Sequence, residues 1–253
     1  MWPIKNQIWE VVVENYTISD IGKERSLNED STAKYLNNNF SLFVVCDGMG
    51  GHKAGDVASK LTVNKVQSYI VANKNENDFS KLLKNAIEYA NLEVFEMAKS
   101  DEKYSDMGTT IVAALISKDK LYVANVGDSR LYISRDKLYQ ITKDHSLVSD
   151  LVEQGILTEE EAKDYPRKNT INRAIGTQPD VEVDIFTHDL KEGDTILLCT
   201  DGLTNMVSDE VIKEVIDAGV TSKDICENLV YIANENGGYD NITVTIYIHR
   251  SQE

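Results

Sequence analysis

Cysteine, proline and positive charge are all scarce in this 253-residue chain, and each scarcity closes off a class of protein. The three cysteines, Cys46, Cys199 and Cys226, are odd in number and unrelated in spacing. That excludes a disulfide framework and a zinc knuckle and suits a reducing cytoplasm. With three prolines and no low-complexity stretch, nothing marks a linker, so one domain over residues 1–253 is expected. No apolar run approaches the ~18 residues of a membrane span. The opening Met1-Trp2-Pro3-Ile4-Lys5-Asn6 lacks the basic-then-apolar order of a secretory signal. Basic side chains number 26 against 42 acidic ones, a net charge of −16. Such a balance argues against nucleic acid as the main partner, since phosphate backbones need basic faces. It leaves room for a phosphorylated substrate met by one or two local cations, and carboxylates are the raw material of divalent-metal sites.

The apolar pattern gives an α+β chain. Ser41–Cys46 reads as a buried strand stopping at Asp47-Gly48. From Ala54, Val57, Ala58, Leu61, Val66 and Ile70 recur at helical spacing, and Leu82, Leu83, Ala86, Ile87, Ala90, Val94 and Met97 form a second helical stripe. Four short runs, Thr110–Ile116, Leu121–Asn125, Leu131–Ser134 and Leu138–Ile141, sit between tight turns and predict an antiparallel meander. Leu147, Val148, Leu151 and Val152 suggest a short helix stopped by Gly155, and Thr158 with Glu161 makes a capping box for the next. A buried strand over Thr195–Cys199, helices over Asp209–Ala218 and Ser222–Asn234 (the second capped by Thr221) and an alternating strand, Ile242–His249, complete the chain. Strands cluster early, in the middle and at the end with helix pairs between them, so a pair of antiparallel sheets covered by helices is expected rather than a doubly wound sheet.

Three aspartates share one context, an apolar strand or its edge with an abrupt Gly-containing turn. They are Asp47 in Cys-Asp-Gly-Met-Gly-Gly-His, Asp201 in Cys-Thr-Asp-Gly-Leu and Asp240 in Gly-Gly-Tyr-Asp-Asn. A fourth, Asp128, lies between two meander strands. Singly, each reads as a turn residue. Converging, they would repel unless a cation neutralised them, and an all-oxygen donor set without a Cys or His cluster selects magnesium or manganese. The glycines after Asp47 match neither G-x-G-x-x-G nor the Walker pattern; they allow close backbone approach, so that the Gly48 carbonyl can serve as a ligand.

These residues resemble the bacterial form of the metal-dependent Ser/Thr protein phosphatases of type 2C. The matching stretches, in order, are Ser19–Asp30, Asp47-Gly-Met-Gly-Gly-His52, Met107-Gly-Thr-Thr110, Asn125-Val-Gly-Asp-Ser-Arg130, Ile141–Ser146, Asn172-Arg-Ala-Ile-Gly176, Thr200–Asn205 and Asp240-Asn-Ile-Thr243. The resemblance implies a four-layer αββα sandwich with two metal ions at one end. Asp47 would bridge them, the Gly48 carbonyl would bind one, Asp201 and Asp240 would bind the other, and Asp128 would serve a third. Glu29 and Asp30 would hold water in the surrounding shell, and Arg25 would clamp the phosphate with its guanidinium fork. Water shared by two cations yields hydroxide near neutral pH for in-line attack on phosphorus.

Departures from the family matter too. Met49 stands where eukaryotic relatives carry the proposed acid histidine, which leaves His52 or water as proton donor. Asn205 replaces a carboxylate that some relatives use for the third ion, and His145 reads as a structural residue at a helix start. Cys46 and Cys199 read as inert packing residues. Residues 1–13 precede the usual family start. Residues 146–176 resemble a flap, whose Arg167, Lys168 and Arg173 offer local positive charge to a phosphopeptide. The expected partners are phosphorylated proteins made by a Ser/Thr kinase, met by a monomer without membrane insertion. The competing readings are a phosphatase dedicated to one regulator, such as a sigma-factor regulator, and a pseudophosphatase that binds metal or partner without turnover.

Overall fold

The computed structural model describes residues 13–50, 54–163, 165–166 and 170–250. Among these described residues, twelve strands and seven α-helices run in the order β1 Glu14–Asp20, β2 Ser31–Leu36, β3 Ser41–Cys46, β4 Gly48–Met49, α1 Ala54–Ala72, α2 Phe79–Ser100, β5 Gly108–Thr109, β6 Ile111–Ser117, β7 Lys120–Val126, β8 Arg130–Ser134, β9 Leu138–Gln140, α3 Leu147–Glu153, α4 Glu159–Lys163, β10 Asp184–Asp189, β11 Thr195–Cys199, α5 Asp201–Thr204, α6 Asp209–Ala218, α7 Ser222–Glu235 and β12 Ile242–Ile248. One five-stranded antiparallel sheet has the order β1-β12-β11-β8-β9 and the other β10-β7-β6-β3-β2, while β4 and β5 make a two-residue ribbon.

Three apolar layers make this an αββα sandwich. Leu42, Val44, Ala113, Leu115 and Ala124 of one sheet pack against Val66, Ile70, Leu83, Ile87 and Val94 of α1 and α2. Leu197, Cys199, Ile242, Val244 and Ile246 of the other sheet meet Ile212, Ile216, Ile225 and Leu229 of α6 and α7. Between the sheets lie Phe43, Val45, Val112, Val123, Leu131, Ile196, Leu198 and Tyr247. Full burial of such side chains contributes roughly 1.5–3 kcal/mol each, so the sandwich is a stiff platform for whatever its edges carry.

The sequence markers for helix starts hold. Thr158 Oγ1 accepts from Glu161 N at 3.2 Å while Glu161 Oε2 accepts from Thr158 N at 2.9 Å, and Thr221 Oγ1 caps α7 through Asp224 N at 3.1 Å.

Two expectations need correction. The four-run meander is split: β6 pairs with β7 and β8 with β9, but β7 and β8 lie in different sheets. The chain changes sheet at Gly127, whose φ of 106° and bare Cα against Thr110 admit no side chain. The last strand alternates in sequence but is buried along most of both faces. Its polar positions are satisfied laterally, with Thr245 Oγ1 3.0 Å from Thr17 Oγ1 and Thr243 Oγ1 2.8 Å from Ser19 Oγ.

Candidate metal centre

Strand register brings the acidic residues to one edge. Ser31 pairs with Cys46, so Asp30 and Asp47 leave neighbouring strand ends. Cys199 pairs with Val244 on one side and Arg130 on the other, which sets Asp201, Asp240 and Asp128 around the corresponding end of the second sheet. Asp30 ties the two sheets together. Its Oδ2 accepts from Thr200 Oγ1 at 2.9 Å, just past the end of β11, and from Thr243 Oγ1 at 2.6 Å, in β12 of the opposite sheet. Its Oδ1 is buried and unpartnered.

Asp47 is anchored through its backbone. Its N–H donates to Thr110 Oγ1 at 3.0 Å, and its carbonyl accepts from Thr109 Oγ1 at 2.7 Å and Thr110 N at 2.9 Å. The backbone approaches closely beside it. A Cβ on Gly48 would overlap the Gly55 carbonyl, and one on Gly55 would lie 2.8 Å from Glu29 Oε1 and 2.9 Å from the Gly48 carbonyl oxygen. The Gly48 carbonyl and the Glu29 carboxylate therefore close on the same spot.

The electrostatics are those of crowded like charges. Burial first, then the charges of Asp30, Asp201, Asp128 and Asp240, hold Asp47 well above the usual carboxylate range. Burial, with Asp201 and Asp240, pushes Asp30 up to about 7, the two threonine hydroxyls pulling the other way. Burial, with Asp201 and Asp144, pushes Asp128 up to about 7. Asp201 is raised by burial and by the charge of Asp240, with Asp47 and Asn205 pulling the other way. Asp201 Oδ1, like Asp30 Oδ1, is buried without a partner.

A hard divalent cation fits this set, because every donor is oxygen, two buried lone-pair sites stand open and the carboxylates repel one another. Among the described residues, no three of His, Cys, Asp and Glu are ranged to hold an ion on their own. Backbone oxygen and water therefore have to complete any shell.

Arg25 stands at the rim, its guanidinium half exposed and Nη2 2.8 Å from Asp240 Oδ2. Asp240 Oδ1 accepts from Asn241 N at 2.8 Å. The structure thus brings Arg25, Glu29, Asp30, Asp47, Gly48, Asp128, Asp201 and Asp240 to one edge. His52 lies outside the described residues, as do Arg167 and Lys168 of the flap and residues 1–12 of the N-terminal extension.

Arg173 is not free for substrate: Nη1 is 2.7 Å from Asp184 Oδ1 and Nη2 is 3.0 Å from Glu182 Oε2. Proximity of these acids was invisible in sequence. Asn205 Nδ2 donates to Asp201 Oδ2 at 2.9 Å, orienting a neighbour. His145 is buried: Nδ1 accepts from Gly127 N at 3.0 Å, so Nε2 carries the proton toward Asp184 Oδ2 at 3.2 Å. Burial lowers its pKa, which favours this neutral form.

Sequence reasoning missed Asn241. Its Oδ1 accepts from Glu29 N at 2.8 Å and its Nδ2 donates to the carbonyls of Ile21 and Leu27 at 2.9 and 3.0 Å. The Arg25 loop therefore hangs from the residue after Asp240. The only local signal was the Asp-Asn dipeptide in a turn. Arg130, also unassigned, grips Asp144 through Nε and Nη2 and donates from Nη1 to Tyr132 Oη at 2.9 Å, which fixes the strand leaving Asp128.

A family model described as protein phosphatase 2C matches residues 22–228. The chain is 39% identical over 233 residues to the serine/threonine phosphatase stp of Listeria monocytogenes, spanning 90% of this chain and 92% of that one. The crystal structure of serine/threonine phosphatase Stp1 from Staphylococcus aureus is similar with a TM-score of 0.90 at 37% identity, over 94% of this chain and 96% of that one. The catalytic domain of the serine/threonine protein phosphatase PstP, solved in complex with two manganese ions, has a TM-score of 0.83 at 34% identity, over 93% of this chain and 97% of that one.

Proposed function

The chain belongs to the protein phosphatase 2C family, and on that footing we propose that its carboxylate edge hydrolyses phosphoserine and phosphothreonine in proteins with two manganese or magnesium ions. The observation that carries the reading is the crowding itself: buried aspartates from both sheets whose charges raise one another's pKa. Such an array costs stability unless its charge is balanced.

Asp47, the Gly48 carbonyl, Asp201 and Asp240 would hold the two ions, and Asp128 would serve a third. When bound, the ions supply a nucleophile from water near neutral pH and neutralise charge on the phosphate. The protein's own residues do the remaining work. Asp30 and Glu29 accept hydrogen bonds from ordered water. Asp240 keeps two bonds of its carboxylate for Asn241 and Arg25 and has lone pairs to spare. Arg25 offers its remaining donors to phosphate oxygens in a bidentate grip. For the proton delivered to the leaving alkoxide we propose His52, supported by its place three residues after Met49 in the Asp47-Gly-Met-Gly-Gly-His stretch.

Segment 146–176 serves as a flap. Its base is pinched by an antiparallel bridge between Ser146 and Ile171 and by Leu147 N donating to Thr170 O at 2.8 Å. The substrates are proteins phosphorylated by a Ser/Thr kinase, and three free, buried cysteines suit a cytoplasmic setting. Hydrolysis of a chromogenic aryl phosphate tests the reading. It should require manganese or magnesium, stop with chelator and be lost in Asp47→Ala; turnover that survives chelation contradicts it.

A further inference from the structure

We propose that Tyr239 and Glu24 form a subsite that reads an arginine or lysine flanking the phosphorylated residue of the substrate; the inference rests on the phosphatase reading above. Two loops run side by side at the rim. Lys23, Glu24 and Arg25 lie on one, Gly238, Tyr239 and Asp240 on the other. They are laced together by the Gly238 carbonyl, which accepts from Lys23 N at 2.8 Å and Glu24 N at 3.3 Å, and by the Arg25–Asp240 ion pair at 2.8 Å. Glu24 and Tyr239, the chain neighbours of Arg25 and Asp240 on these two loops, are both exposed to solvent.

Tyr239 is 63% exposed and belongs to none of the three apolar layers. Its ring lies against Gly237, where a Cβ would come within 2.6 Å of Tyr239 Cε2, so the turn seats the ring at the surface rather than in the core. Glu24 is exposed and has no ion-pair partner among the described residues. Lys23, the cation that would repel a basic side chain here, is engaged by Glu235 at 3.1 Å. An open aromatic face together with an unpaired carboxylate is the chemistry that receives a guanidinium or ammonium group.

Tyr239 and Glu24 are the chain neighbours of Asp240 and Arg25, whose ion pair at 2.8 Å marks the rim of the proposed phosphate site, so the subsite adjoins that site on both loops.

The test uses pairs of phosphopeptides that differ only by Arg against Gln beside the phosphorylated residue, on either side in turn. The readout is the ratio of kcat/KM within a pair, from which any change in catalysis common to both peptides cancels. At one flanking position the native enzyme should favour Arg by about fivefold, the sum of an exposed cation–π contact and an exposed ion pair. Tyr239→Ala and Glu24→Gln should each bring the ratio to about two, the double variant to about one, and Tyr239→Phe should keep it. Equal ratios in the native and both single variants overturn the proposal and assign any preference to the overall negative field. A loss on Tyr239→Ala that is as large for a Leu peptide overturns it in favour of an apolar platform. Absence of any manganese-dependent aryl phosphate hydrolysis by the native protein overturns the phosphatase reading itself, and the subsite with it.

Discussion

Replacing Asp30 by asparagine should stabilise the metal-free protein near neutral pH, although it deletes a charge from a site built of charges. Asp30 rises from an ordinary carboxylate value of 3.8 to about 7 in the fold, chiefly through burial. The fold thus binds this proton more tightly than the unfolded chain does. Its contribution is therefore full below pH ~4 and is lost as pH rises through ~7. Three units correspond to about 4 kcal/mol at pH 8. The amide keeps an oxygen for Thr200 and Thr243 but places an NH2 at the unpartnered Oδ1 position, a mismatch of about 1–2 kcal/mol. Relief of the charge penalty wins by about 2–3 kcal/mol, or ~5–10 °C in Tm for a chain of this size. At pH 5 the penalty is only about 1–2 kcal/mol, so native and variant should melt together. Scanning calorimetry in EDTA at pH 5 and pH 8 measures the difference, and saturating manganese should erase the gain at pH 8. A variant that melts below the native protein at pH 8, or by the same margin at both pH values, refutes the crowding account.

Other perturbations follow from the same geometry. Arg25→Ala should lower kcat/KM for an aryl phosphate about 100-fold, the loss of two charge-assisted bonds, while Arg25→Lys recovers only part because it lacks the fork. Asn241→Ala removes three bonds that hang the Arg25 loop and leaves the Glu29 N–H without its acceptor; urea unfolding should show a loss of about 2–4 kcal/mol. His145 should stay neutral to below its ordinary 6.5, since burial depresses it; the stability it lends is present above that value and lost as pH falls, and imidazole resonances that titrate above 6.5 would contradict this. Cys199, pushed up to about 12 by burial, should resist iodoacetamide in the native protein and react after denaturation.

Much of this was legible because it is local. Helix stripes, the Thr158–Glu161 box and the Thr221 cap depend on residues three or four apart, and the strand-then-Asp-Gly pattern marked Asp47 and Asp201 directly. What escaped was non-local. A Gly-Asp-Ser turn looks the same whether it closes a hairpin or crosses between sheets, and Gly127 does the second. The hydroxyls that hold Asp30 come from residues 170 and 213 positions away, and Asn241 reaches back more than 210 positions to the Arg25 loop. Arg173 looked free because Asp184 and Glu182 meet it only after folding.

The central claim is that aspartates from both sheets seat a pair of divalent ions at one edge of the sandwich. Anomalous scattering at the manganese edge, from crystals soaked in manganese, addresses it directly. The account predicts two strong peaks among Asp47, Gly48, Asp201 and Asp240, absent in Asp47→Ala. Peaks only elsewhere on the surface, or none at this edge, would contradict it.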